Sequence, residues 1–190
     1  MTDEELILQL NAKDNLAFRE LIQKYQSMVY NACYHLLKQP EDAEDIAQEV
    51  FIEVFQSIGQ FRYQSKLSTW LYRIAINKSL NHLRKNKWKN MVQSVEHFFS
   101  GDDHGNLEIE DKTGRDSPEH IEFVERGKIL QDAINSLPEN QKIAFTLNKY
   151  DELSYQEITE VMNISLSSVE SLIHRAKMNL QKKLIGYYKN

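Results

Sequence analysis

The chain has 190 residues, 41% hydrophobic and 27% charged, with a formal net charge of -5, an ordinary globular composition with room for one compact domain or two small ones. No apolar run approaches the roughly 18 residues of a membrane span, and the acidic start MTDEELILQL lacks the basic and apolar regions of a secretory signal, so no membrane insertion is expected. The single cysteine, Cys33, excludes an internal disulfide and fits a reducing cytoplasm, while six Gly, three Pro and the lack of alternating β-branched runs predict an all-α protein.

Thr2 and Glu5 form a capping box for a short first helix. Asp14 or Asn15 starts a second, whose apolar positions (Phe18, Leu21, Ile22, Tyr25, Met28, Val29, Ala32, Cys33, Leu36, Leu37) make a helical stripe. It ends at Gln39-Pro40, because the residue before proline avoids the α region. A third helix spans about Glu41 to Ser57, buries Ala43, Ile46, Ala47, Val50, Val54 and Phe55, and ends at Gly59. Residues 60–67 read as a loop. Ser68 caps a fourth helix to about Lys89, with Leu71, Ile74 and Ala75 inward and Trp70 beside them as core; Trp88, at its basic end, reads equally as core or as a stacking ring. Glycines and acids break the periodicity over residues 92–117, which read as a flexible acidic linker. Ser117-Pro118 then opens a helix to about Leu137, and Pro138 opens another to about Lys149. The expected organisation is two small helical domains, 1–91 and 118–190, joined by 92–117.

Charge is distributed in blocks. Residues 54–95 contain no acid where an even spread would place about six, and they hold eight bases: Arg62, Lys66, Arg73, Lys78, Arg84, Lys85, Lys87 and Lys89. Aromatic residues lie among them. Cations favour a polyanion and flat rings favour exposed bases, so this segment points to nucleic acid with unpaired bases. The flanking blocks 1–53 and 96–126 are acidic, and 161–190 is basic again. Two basic surfaces separated by an acidic link point to two contacts on one anionic partner.

The last segment, SYQEITEVMNISLSSVESLIHRAKMNL, reads as a helix-turn-helix. Ser154 and Glu157 make a second capping box. Asn163 suits a left-handed turn, Ile164 fills the corner and Ser165 caps the next helix. Val169, Leu172, Ile173, Ala176 and Leu180 face inward. The outward face is Ser167, Ser168, Glu170, Ser171, His174, Arg175 and Lys177, whose hydroxyls and bases suit phosphates and base edges in a major groove. Glu170 either accepts from a cytosine amine or pairs with His174 one turn on.

Four motifs occur together and in order: DAEDIAQEVFIEVF (42–55), STWLYRIAINKSLNHLRK (68–85), LPENQKIAFTL (137–147) and the helix-turn-helix. In these the chain resembles the extracytoplasmic-function (ECF) sigma factors of bacterial RNA polymerase. The resemblance implies an all-α, two-domain subunit that recognises the -35 and -10 promoter elements and melts DNA, with no catalytic residues, metal or cofactor. It implies that the third helix docks on core RNA polymerase through Asp42, Asp45, Gln48, Glu49, Ile52 and Glu53. It implies that Phe61, Arg62, Tyr63, Gln64 and Ser65 receive an extruded base, next to a helical strip of Arg73, Asn77, Asn81 and Arg84. Asparagine pairs bidentately with a base edge, and arginine holds phosphate or guanine. The expected partners are core RNA polymerase, promoter DNA both duplex and single-stranded, and an anti-sigma factor. The linker would either mimic nucleic acid in a basic channel or act as a tether. A stand-alone helix-turn-helix regulator is the alternative; it leaves residues 54–95 without a task.

Overall fold

The computed structural model describes the backbone over residues 1–100 and 118–188, and the side chains over 1–89 and 125–187. Among these residues there are eight α-helices, one 3-10 turn and no strand, which is the expected all-α class. The greater part of the expected linker, residues 101–117, lies outside the described residues.

Helix α1 (Asp3–Asn11) begins at the Thr2–Glu5 capping box, with both reciprocal hydrogen bonds formed. Helix α2 (Asn15–Leu37) is capped by the Asp14 carboxylate accepting from the Leu16 amide. It stops at Leu37, two residues before the expected Gln39, because Lys38 turns left-handed at φ 62° and donates its amide to the Tyr34 carbonyl. Gln39 is then extended, as a residue before proline should be.

Helix α3 (Pro40–Ser57) carries proline in its first turn, where no amide donor is missed. It does not end on a left-handed Gly59. The chain tightens instead into a 3-10 turn over Ile58–Gln60 and buries Ile58. Phe51 joins the core, whereas Phe55 is only half-buried.

Helix α4 (Leu67–Ser100) begins two residues earlier than a Ser68 cap would place it: the Lys66 carbonyl accepts from the Trp70 amide at 3.2 Å, so Ser68 lies inside the first turn. It also runs past Lys89 to Ser100. Residues 90–100, NMVQSVEHFFS, contain no glycine or proline, and the first residue able to break the helix cheaply is Gly101.

The second half holds α5 (Pro118–Asn135), α6 (Glu139–Lys149), α7 (Tyr155–Met162) and α8 (Leu166–Tyr188). The Ser154–Glu157 capping box starts α7, and Asn163 ends it at φ 54°. Ser165 accepts from the Ser168 amide at the start of α8. The α7–turn–α8 unit is the expected helix-turn-helix. Its inner residues Ile158, Val161, Val169 and Ile173 are buried.

One hydrophobic cluster runs from α1–α4 into Ile143, Ala144, Leu147, Ile158, Val161, Val169 and Ile173. A smaller one joins α5 to α8 through Ala133, Ile134, Leu137, Ala176 and Leu180. The two halves therefore pack on each other, and this shared packing sets the surroundings of the candidate DNA-facing residues.

Candidate nucleic-acid interface

On α4, residues three and four apart share a face, and each residue advances about 100°. Arg73, Asn77, Asn81 and Arg84 accordingly line one strip, with Asn77 and Asn81 exposed. The opposite side carries the buried Tyr72, Ala75, Ile76 and Ser79. The two arginines at the ends of the strip are already engaged by the second half. Arg73 donates from Nε (2.8 Å) and from its Nη2 to the Glu160 carbonyl of α7. Such charge-assisted bonds contribute about 1.5–3 kcal/mol each. Arg84 pairs with Glu139 at the start of α6. Both of those groups are well exposed, so that pair is worth about 0–1 kcal/mol.

The loop before α4 gathers three rings. The Phe61 centroid lies 5.2 Å from Tyr63, edge-on, and 5.4 Å from Trp70. Phe61 is half-buried and tethers the loop, while Tyr63 is 59% exposed with its backbone at φ 57°. A left-handed tyrosine is uncommon, and here it holds a ring out towards solvent. Arg62 and Gln64 are exposed beside it and Ser65 is half-buried. Trp70 is half-buried and packs against the hydrophobic core, as expected, and its first-turn position lets it back Phe61 of the loop.

On α8, Ser167, Ser168, Glu170, Ser171, His174, Arg175 and Lys177 are all exposed, as the inward heptad requires. Ser165 Oγ lies 3.1 Å from Ser167 Oγ and 2.8 Å from Ser168 Oγ, so hydroxyls cluster at the helix start. Glu170 makes no ion pair with His174 among the described residues. Ser167, Ser168, Ser171 and Arg175 flank a shallow groove of about 600 Å³ that Met162, Ile164, Leu172 and Asn140 also line. Asn140, from the first turn of α6, carried no periodic signal and was not anticipated.

The acidic helix α3 divides into two strips. Asp42, Glu49 and Glu53 face α4: Asp42 lies 3.1 Å from His82, and Lys78 Nζ lies 3.2 Å from Glu49 and 2.9 Å from Glu53. Burial pushes the Lys78 ammonium down, but these two carboxylates outweigh it and hold it above the ordinary lysine range. Asp45, Gln48 and Ile52 point elsewhere. Gln48 and Ile52, the latter 53% exposed, border an open groove of about 640 Å³ against Phe18, Ile22 and Tyr30 of α2. Phe18 and Ile22, at one end of the apolar stripe of α2, are half-buried and pack against the core, with the Phe18 ring 4.7 Å from Phe55 of α3.

A third contact joins the halves. The Asp151 carboxylate, in the turn after α6, is 2% exposed and lies 3.1 Å from His35 Nδ1 of α2. Its Oδ2 has no hydrogen-bond partner among the described residues. Burial pushes the Asp151 carboxyl up, and the attraction of His35 and Lys38 offsets this only in part. Lys38 Nζ sits 4.7 Å over the Tyr150 ring, and Lys142 donates to the Leu36 carbonyl at 3.2 Å.

Comparison with known proteins agrees with this arrangement. Residues 21–89 match Sigma-70 region 2 and residues 127–180 match Sigma-70 region 4. The chain is 33% identical to the RNA polymerase sigma-H factor of Pseudomonas aeruginosa over 96% of this chain and 93% of that protein. It is also 33% identical to the ECF RNA polymerase sigma factor SigW of Bacillus subtilis, over 97% of each. In fold it is similar to CnrH, solved in complex with the cytosolic domain of CnrY: the TM-score is 0.66 at 18% identity, over 97% of both chains. RpoE of Bartonella quintana, solved with the anti-sigma factor NepR, gives a TM-score of 0.60 at 20% identity over 88% of this chain and 96% of that one. The chain belongs to the ECF family of RNA polymerase sigma factors. It is a promoter-directing sigma factor rather than a stand-alone helix-turn-helix regulator.

Proposed function

We propose a division of labour among these surfaces. Residues 1–91 dock on core polymerase and melt the -10 element, and residues 118–190 read the -35 element as duplex. Residues 92–117 join the two. Asn77 and Asn81 read unpaired bases on the α4 strip, and Arg73 and Arg84 hold the strand once they leave Glu160 and Glu139. Phe61, Arg62, Tyr63, Gln64 and Ser65 take one extruded base. Extrusion costs a few kcal/mol, and stacking on an exposed ring such as Tyr63 returns about 1–3 kcal/mol. The exposed hydroxyls and cations at the start of α8 enter the major groove.

Core polymerase docks on the free strip of α3, Asp45, Gln48 and Ile52, and on the apolar groove that this strip borders. An apolar centre with an acidic rim is the composition of a specific interface. Asp42, Glu49 and Glu53 supply the edge of that surface while paired with α4. An anti-sigma factor, a partner of the kind that RpoE of Bartonella quintana carries, covers α3 or the basic faces. The protein acts in the cytoplasm as a binding subunit and performs no covalent chemistry.

The observation that carries this reading is the acid-free strip of α4, with two exposed asparagines, in the same chain as a helix-turn-helix with an exposed serine-rich face. Gel shift and co-elution test it. The chain alone should hold promoter duplex weakly, should co-elute with core polymerase, and should bind promoter tightly only in that complex. Tight binding by the chain alone as a dimer would reject the reading.

A further inference from the structure

Trp88 is 66% exposed, and among the described residues no ring, cation or hydrogen-bond partner meets it. Tryptophan carries a large apolar surface that is normally covered, so an indole this exposed, uncovered by the described residues, is a surface for an occupant. Its position is specific. Eleven residues separate it from Asn77, which is three helical turns to within about 20°. It therefore lies on the centre line of the Asn77–Asn81 strip, about 16 Å further along α4. Trp70 lies eighteen residues before it, five whole turns, on the same line and about 27 Å away. The strip thus carries a ring at each end: Trp70, backing Phe61 of the loop, and Trp88, bare.

The surroundings of Trp88 choose its occupant. Lys85, Lys87 and Lys89 are exposed around it, and no acid lies within the segment 54–95. Lysines beside an apolar ring repel a cationic surface and favour a polyanion with flat, stackable groups. Paired bases keep their faces covered by their neighbours, so the fitting ligand is an unpaired nucleotide.

Resting on the reading of α4 given above, we propose that Trp88 is a second stacking platform for the melted strand. It receives an unpaired base at the far end of the Asn77–Asn81 strip and extends the single-strand track to about 27 Å. Stacking tolerates any base, so Trp88 adds grip and sets the length of the opened segment rather than its sequence.

The test uses holoenzyme assembled from core polymerase and the full chain, as wild type, Trp88→Ala and Trp88→Phe. The DNA is a promoter selected by the wild-type holoenzyme from a random duplex library, used fully paired and with a built-in unpaired bubble. Trp88→Ala should weaken binding to the bubble about 5- to 150-fold, the range that one base stack supplies. Trp88→Phe should recover most of that loss. Binding to the paired form in the cold should not change, nor should the salt dependence, because no phosphate contact is removed. Unaltered bubble binding by Trp88→Ala would overturn the proposal. So would an equal loss on paired and bubble DNA, which would place Trp88 against polymerase or another part of the chain. If the wild-type holoenzyme selects no promoter, the parent reading fails and takes this proposal with it. A wild type that opens DNA beside an unaffected Trp88→Ala defeats this proposal alone.

Discussion

At the scale of single residues, Asp151 is the most heavily committed side chain at the junction of the halves. It is a buried carboxylate with one histidine partner and one unbonded oxygen. Its folded-state pKa lies above its unfolded one, so the folded state holds the proton more tightly. By linkage, the stability it contributes is fully present below the ordinary carboxylate value of about 3.9 and falls as pH rises through the raised folded value. Asp151→Asn should remove that slope. Urea unfolding across the acid range, wild type against variant, checks it: the wild type should lose stability relative to Asp151→Asn as the pH climbs through that window. Parallel profiles would mean that the carboxylate titrates as it does in water. Glu157 has the opposite sign. Its hydrogen bonds with Ser154 hold it below the ordinary carboxylate range, so its contribution is present at neutral pH and is lost on acidification.

At the scale of elements, α3 is two helices in one: a strip that neutralises Lys78 and meets His82, and a strip that faces the α2 groove. The polymerase reading assigns them unequal weight. Ile52→Lys should reduce co-elution with core polymerase more than tenfold, because it puts a charge at the centre of an apolar contact and leaves the fold untouched. Glu49→Gln should cost far less there, since Glu53 still holds Lys78. Equal losses would return the whole helix to a single acidic contact surface. Legibility also divides by element. Both capping boxes, the left-handed Asn163 and the outward face of α8 could be read directly, since cap chemistry and a 3.6-residue period are local. The N-terminal start of α4 at Leu67, the left-handed Lys38 and the half-open state of Phe18 and Ile22 could not. A one-dimensional stripe names the apolar positions but not how fully a neighbouring helix covers each of them.

At the scale of the whole molecule, the contacts hardest to read were those between the halves. Arg73 and the Glu160 carbonyl are 87 positions apart, and His35 and Asp151 are 116. No periodicity links such pairs. The block pattern of charge pointed to an external anionic partner and not to this packing, in which the basic α4 strip meets the Glu160 carbonyl and the Glu139 carboxylate of the second half. The strip's two end arginines are held and its two asparagines are exposed. In the proposed function, the guanidinium groups that hold the two halves together are the ones that would hold the strand.

The central claim is that this α4 surface holds separated strands on behalf of polymerase. Permanganate reactivity of promoter thymines tests it most directly, with core polymerase and either the wild-type chain or Asn77→Ala. The account predicts reactive thymines with the wild type. With Asn77→Ala it predicts reactivity reduced several-fold or more while co-elution with polymerase is unchanged. Unreactive thymines with the wild type, or opening and polymerase binding lost in equal measure in the variant, would contradict it.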